Sequence, residues 1–290
     1  YYLALAAEGE RVGWDGGASA LARLTPEAVN LEAVLLEPIA EAATASDRDA
    51  LQHVVDASFA FGKFQYSTGL GSMAPLERAA EIAFRLDQKQ RQAQCVERLG
   101  DGHLARADHH GAVMRYEAAL PLYRDVGNKQ GEANCFFSLG EVLFRRSDHA
   151  AAVTRYDAAL LLFREVADKL GEANCIHSLG NVLLERGNHA AAVERYETAL
   201  PLYREVEDKA GEANCLICLG DVSLAQSNYP EAIAKYEEAI PIYREVGSKL
   251  GEANCIQSLG QIDAAAGRLS IARREYWDAL NLFRQIPEPY

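Results

Sequence analysis

Six cysteines and seven histidines are the residues of this 290-residue chain best suited to metal binding or nucleophilic chemistry. Five of the cysteines, Cys95, Cys135, Cys175, Cys215 and Cys255, recur every 40 residues. Thiols on equivalent faces of packed helices lie about 8–10 Å apart or more. A disulfide needs alpha carbons within about 7 Å. The series therefore reads as one small buried slot used five times, in a reducing compartment. Cys218 adds a single CxxC with Cys215, and no second CxxC or HxxxH completes a zinc ligand set. His109, His149 and His189 also recur, but Tyr229 and Leu269 take their place in later copies, which marks a packing position and not a catalytic base. GxxxxGK[ST] is absent, and Gly62-Lys63-Phe64 does not replace it. No enzyme, metal or cofactor is expected.

The spacing itself is the dominant signal. RQAQCVERLG starts at Arg91, and GEANCFFSLG, GEANCIHSLG, GEANCLICLG and GEANCIQSLG start at Gly131, Gly171, Gly211 and Gly251. Residues 131–169 and 171–209 share 26 of 39 identities. A period of this length means stacked supersecondary units. The third unit shows how one is built. Asp168 is an N-cap, and Ala173, Ile176, Leu179, Gly180, Leu183 and Leu184 follow at helical spacing. Arg186-Gly187-Asn188 breaks the pattern, and Ala192, Val193, Tyr196, Ala199, Leu200 and Tyr203 form a second apolar stripe. Asn128, Asp208 and Ser248 are the equivalent caps. Gly180 and Ala192 let the two helices approach closely. Such a pair cannot bury its own stripe, so each unit must stack on the next. Pro121, Pro201 and Pro241 fall inside second helices, and the loss of a backbone donor predicts a bend at each.

The order of small and aromatic residues resembles the tetratricopeptide repeat. Leu179-Gly180, Gly187-Asn188-His189, Ala192, Tyr196 and Ala199 fall on its pattern. So do Leu139-Gly140, Ala152, Tyr156 and Ala159, and Leu219-Gly220, Ala232, Tyr236 and Ala239. Two features depart from it. Ile176, Leu216 or Ile256 replaces the usual aromatic, and the unit has 40 residues, as in longer-helix members that serve as scaffold adaptors. The resemblance implies an all-α, right-handed superhelical solenoid of helix-turn-helix repeats. Its units would be 88–127, 128–167, 168–207, 208–247 and 248–290. Residues 48–87 form a degenerate copy in which Phe61-Gly62, Gly69 and Ala83 echo the pattern. Residues 1–47 form a divergent helical segment. Its YYLALA, Arg23–Glu27 and Asn30–Ala33 stretches resemble the segment that opens the C-terminal sensor region of STAND NTPases, including fungal NLR-like receptors and bacterial regulators. Residue 1 is Tyr, so the chain reads as a piece of a longer protein.

In such an array, partner choice is encoded where exposed positions vary within a constant frame. The family places the second, fifth, sixth, ninth, twelfth and thirteenth motif positions of the first helix on the concave face. The second is Gln94, Asn134, Asn174, Asn214 and Asn254, an amide ladder able to donate to and accept from a peptide backbone. An alternative is that these amides bond to helix ends in neighbouring units. The fifth is Glu97, Phe137, His177, Ile217 and Gln257. The ninth is Asp101, Glu141, Asn181, Asp221 and Gln261, and Phe144 stands at the twelfth. This face is acidic and polar with an apolar strip, relieved by Arg98 and Arg145. It lacks the lysines with which family members grip C-terminal carboxylates.

The balance of 29 basic to 42 acidic side chains, a formal charge of −13, excludes a nucleic acid or an anionic membrane as partner. No apolar run reaches the ~20 residues of a membrane span, and no signal peptide is visible. These observations predict a cytoplasmic protein- or peptide-binding module whose partner is basic, or amphipathic with a basic edge. By resemblance it is the ligand-sensing part of a STAND NTPase. A free-standing scaffold adaptor and an array that self-associates end to end through its last unit, which carries Trp277, Phe283 and Tyr290, are the alternatives. A monomer is otherwise expected.

Overall fold

The computed structural model describes residues 2–12, 17–36 and 48–286, and every regular element among them is helical. Three short helices come first: α1 (Tyr2–Ala6), α2 (Gly17–Leu24) and α3 (Ala28–Leu36). They hold Leu5, Leu24, Leu31 and Leu35 against Phe61 and Phe64 of α4 (Arg48–Thr68). Pairing of α4 with α5 (Ala74–Arg85) follows across the Gly69–Met73 loop, where Gly69 and Gly71 both have positive φ. The sequence boundary at residue 47 and the terminal Tyr290 lie outside the described residues.

From Lys89 onward the helices keep strict time. They are α6 (Lys89–Ala105), α7 (His109–Asp125), α8 (Lys129–Arg145), α9 (His149–Glu165), α10 (Lys169–Glu185), α11 (His189–Glu205), α12 (Lys209–Ala225), α13 (Tyr229–Glu245), α14 (Lys249–Ala265) and α15 (Leu269–Phe283). The chain divides into two compact units, Tyr1–Asp148 and His149–Pro289. In each, from α5 onward, successive helices pack as antiparallel neighbours joined by three-residue turns.

Local chemistry sets these boundaries. Asn128, Asp168 and Ser248 each accept from the backbone N–H three residues on, and Asp208 accepts from Ala210. These are the caps expected from the sequence. The middle residue of every turn has positive φ, including Ala107, Ala167 and Glu207, which closes the helix with a left-handed residue. α7, α11 and α13 run unbroken through Pro121, Pro201 and Pro241. Each has the same 17 residues as α9, which carries Leu161 there. The prolines are exposed, so the missing bond falls where water can serve the carbonyl.

Two close approaches hold the units together. Within a hairpin, the ring of Tyr116, Tyr196 or Tyr236 lies on Gly100, Gly180 or Gly220, so that a methyl group there would come within 2.6–2.7 Å of a ring carbon. Between hairpins, the aromatic near the end of the second helix lies on the glycine of the next GEAN. Tyr123 covers Gly131, Phe163 Gly171, Tyr203 Gly211 and Tyr243 Gly251, with an added methyl only 2.3–2.4 Å from the ring. Beside each ring an arginine pairs with the following glutamate: Arg124–Glu132 2.6 Å, Arg164–Glu172 2.8 Å, Arg204–Glu212 2.7 Å and Arg244–Glu252 2.6 Å. Burial works against the charge of Glu212, but hydrogen bonds from Arg204 and Lys209 outweigh it and hold the carboxyl below its usual range. Cys95, Cys135, Cys175, Cys215 and Cys255 are buried free thiols between these helices, and burial raises the pKa of Cys95 and Cys255 to about 12.

Replacement of Gly211 by Ala tests the joint. Alanine is the better helix former by about 1 kcal/mol, yet the overpacked ring is expected to cost more, for a net loss of about 1–3 kcal/mol. Thermal unfolding should show a lower midpoint. An unchanged or higher midpoint would mean that the ring is not fixed on this glycine.

Candidate functional site

The tyrosines that lie on glycine also carry hydroxyls, and these reach the positions singled out in the sequence. Tyr203 donates to Asn174 Oδ1 at 2.8 Å and Tyr243 to Asn214 Oδ1 at 2.8 Å. In the first unit the same hydroxyl, that of Tyr123, bonds to Glu97. The ninth position is held by the other tyrosine of each hairpin: Tyr116 donates to Asp101 at 2.7 Å, Tyr196 to Asn181 at 2.8 Å and Tyr236 to Asp221 at 2.7 Å. Burial, followed by the nearby carboxylates, raises the pKa of Tyr116 and Tyr123 far above the usual phenol value. Tyr203 is raised by burial and by nearby thiols and Asp208. All three remain donors across the physiological range.

The oxygens of Asn174 and Asn214 thus go to tyrosine hydroxyls and not to helix ends, the alternative raised by the sequence. Asn174 and Asn214 use their oxygens on tyrosine, which orients the amide and aims its two N–H groups elsewhere. The residue at the same register as Tyr203 and Tyr243 is Phe163 in one unit and Phe283 in the last, so Asn134 and Asn254 have no phenol at that register.

In the N-terminal unit the structure brings four of the singled-out residues together. Gln94, Glu97, Asp101 and Asn134 line a cavity of about 290 Å³ with Phe59 and Tyr123. Burial pushes the Glu97 carboxyl up to about 7, against hydrogen bonds from Tyr123 and Asn134 that favour its charged form. Asp101 is raised for the same reason, against Tyr116 and Arg98. Arg98 does not neutralise the cavity freely. It lies over the Phe59 ring at 3.6 Å and donates to Glu10 at 2.7 Å and to the Phe59 carbonyl at 2.6 Å. Phe137, Glu141 and Phe144 are part-buried further along α8.

The C-terminal unit has a different middle. His177 lies against Tyr196 and Tyr203, with ring centroids 5.4 and 6.4 Å apart, and its Nε2 is 3.7 Å from Cys218 Sγ. Burial lowers His177 to about 4 and raises Cys218 to about 12, so both are neutral and no thiolate–imidazolium pair forms. Cys218 takes the place of a serine. Ser138 hydrogen bonds to Tyr116, Ser258 to Tyr236, and Cys218 to Tyr196. Ile217 is part-buried on this face, Asn254 part-buried, and Gln257 and Gln261 exposed. The sequence by itself does not mark the tyrosines as holders of these positions. The offsets of 15 and 29 residues between donor and acceptor carried that signal.

Residues 131–205 and 212–285, just over half of the chain, match the tetratricopeptide repeat model. The chain is a tetratricopeptide repeat protein. Its repeats are a protein-binding architecture. No curated protein sequence matches the chain. Among solved structures, it is similar to the apo form of RapI, with 14% identity, a TM-score of 0.66, and 99% of this chain and 76% of that one covered. It is similar to the apo form of the quorum sensor NprR from B. thuringiensis, with 14% identity, a TM-score of 0.65, and coverage of 92% and 76%. A STAND protein with a tetratricopeptide repeat sensor from Pyrococcus horikoshii shows 15% identity, a TM-score of 0.62, and coverage of 84% of this chain and 41% of that one. At these identities the likeness is one of fold. Among the described residues no helix is long and apolar enough to cross a membrane, and no three His, Cys, Asp or Glu side chains gather as a metal site.

The raised Glu97 pKa gives a pH test. The folded protein binds this proton more tightly than the unfolded chain, whose carboxyl titrates near 4.5. Stability present below pH 4.5 is thus lost as pH rises through about 7. Glu97→Gln keeps an acceptor for Tyr123 and removes the charge. It should raise the unfolding midpoint at pH 8 by a few degrees, about 2–4 °C per kcal/mol recovered, and leave it nearly unchanged at pH 4.5. Equal effects at both values would place Glu97 outside the buried cavity.

Proposed function

We propose that this chain is a peptide-binding module, and that within a unit its ligand lies in extended form across the second, fifth and ninth positions of the first helices. The observation that carries this reading is the tyrosine tether. Asn174 and Asn214 are held by their oxygens with their amide N–H groups free to donate to peptide carbonyls, while Glu97 and Asp101 line a cavity able to take a basic side chain. The charge of −13 favours the same partner, a basic peptide or an amphipathic one with a basic edge. Gln94, Asn134, Phe137, Glu141 and Phe144 complete the proposed positions in the N-terminal unit, and His177, Asn181, Ile217, Asp221, Asn254, Gln257 and Gln261 those in the C-terminal unit.

We further propose that the module is the sensor of a STAND NTPase in the cytoplasm. The likeness to the Pyrococcus horikoshii STAND protein supports this, and buried free thiols suit a reducing compartment. Sequence encoded before Tyr1 decides it: a GxxxxGK[ST] motif there supports the sensor, and its absence leaves a scaffold adaptor.

A peptide selected from a random library against the whole chain provides the binding assay. Asn174→Asp with Asn214→Asp keeps both tyrosine bonds and removes the amide donors. This pair should weaken the selected peptide at least tenfold, which is about 1.4 kcal/mol, with helix content unchanged. Unaltered affinity would make the ladder purely structural.

A further inference from the structure

The cavity of the N-terminal unit is acidic, and its hydrogen bonds bear on which cation it can take. Glu97 and Asp101 of α6 line it with Tyr123 of α7, Asn134 of α8 and Phe59 of α4. Each carboxylate already accepts from a tyrosine. Tyr116 donates to Asp101 Oδ1 at 2.7 Å, and Tyr123 donates to Glu97 Oε2. Asn134 donates to Glu97 as well. Asp101 thus lines the cavity with one oxygen that receives no hydrogen bond among the described residues. Arg98 does not take that place, because it is committed to Glu10 and to the Phe59 carbonyl, at 2.7 and 2.6 Å. Burial outweighs its pull and raises both carboxyls.

Two observations separate guanidinium from ammonium here. A guanidinium gains chiefly by its fork, which sets parallel N–H groups on both oxygens of one carboxylate. Neither Glu97 nor Asp101 has both oxygens open. A guanidinium also gains by stacking on an aromatic face. The Phe59 ring already carries Arg98 at 3.6 Å and Arg91 at 4.6 Å from its centre, and Asp56 fixes Arg91 at 2.7 Å. An ammonium needs neither feature. It is compact, and its three donors turn to meet single acceptors on separate groups. Glu97 and Asp101 stand four residues apart on one face of α6 and offer such acceptors together.

We propose that this cavity holds a primary ammonium group of the bound peptide, a lysine side chain or a free N-terminus, in preference to a guanidinium. The inference rests on the peptide-binding reading above and narrows its basic partner to one kind of cation.

Four pools of peptides with random flanks, passed over the immobilised whole chain, test it. Three are N-acetylated and carry Lys, Arg or norleucine at a fixed central position. The fourth carries norleucine and a free N-terminus. Retention of the Lys pool about tenfold above the Arg and acetylated norleucine pools is expected and supports the lysine source. Retention of the free-amine pool by the same margin supports the N-terminus. Asp101→Asn should abolish either margin. Asparagine keeps the tyrosine bond, as Asn181 does with Tyr196, so helix content should stay unchanged. Tyr116→Phe opens both oxygens of Asp101, and the Arg pool should then rise toward the Lys pool. The proposal is overturned, and the peptide-binding reading left standing, by equal retention of Arg and Lys pools on the unaltered chain. An ammonium margin that survives Asp101→Asn, or an Arg pool unmoved by Tyr116→Phe, overturns it in the same way. Retention of no pool overturns both.

Discussion

An aromatic ring pressed on a glycine, with an arginine beside it on a buried or part-buried glutamate, is the contact from which the repeating part of this protein is assembled. Each element of it is needed. A short helix pair cannot cover its own apolar stripe, so stability comes from the interface with the next pair. Glycine lets the ring approach the backbone of the neighbouring helix, and the ring then fixes both spacing and rotation. Burial of Glu212, the most enclosed of the four glutamates, carries a cost that Arg204 and Lys209 offset. The pair therefore contributes register more than net energy. Recurrence at Arg124, Arg164, Arg204 and Arg244 gives each interface that contains one the same geometry.

The proposed binding face is a by-product of that joint. Tyr203 lies with its ring on Gly211 and its hydroxyl on Asn174, and Tyr243 does the same with Gly251 and Asn214. One side chain thus sets the interval between units and the orientation of a polar group on the exposed face. Tyr123 serves Gly131 and Glu97 in the same manner, which turns the first copy of the site acidic. Where phenylalanine replaces tyrosine, at Phe163 and Phe283, the joint position keeps its ring and the face loses a tether. Structural and binding roles separate at a single oxygen atom.

Much of this was legible in the sequence, because the period forces equivalent residues into equivalent environments. The caps Asn128, Asp168 and Ser248, the buried cysteines and the glycines at close approaches could be read from repetition alone. What could not be read was pairing across the period. Asn174 looks like a free amide until Tyr203, 29 residues on, is known to bond to it. Cys218 stands in the sequence only as a lone CxxC with Cys215, yet it takes the place of a serine on Tyr196 and touches His177 of the preceding first helix. The N-terminal segment shows no period at all. Its α1, α2 and α3 are fixed by apolar contacts with α4 that no motif announces.

The central claim is that tyrosine-held amides present their N–H groups to an extended peptide. Side-chain amide NMR observes these groups directly. On titration with a selected peptide, the Asn174 and Asn214 NH2 signals should shift and exchange more slowly with solvent, while the signals of helix-end asparagines such as Asn188 and Asn228 stay in place. Saturable binding that leaves the Asn174 and Asn214 signals unmoved would contradict the account.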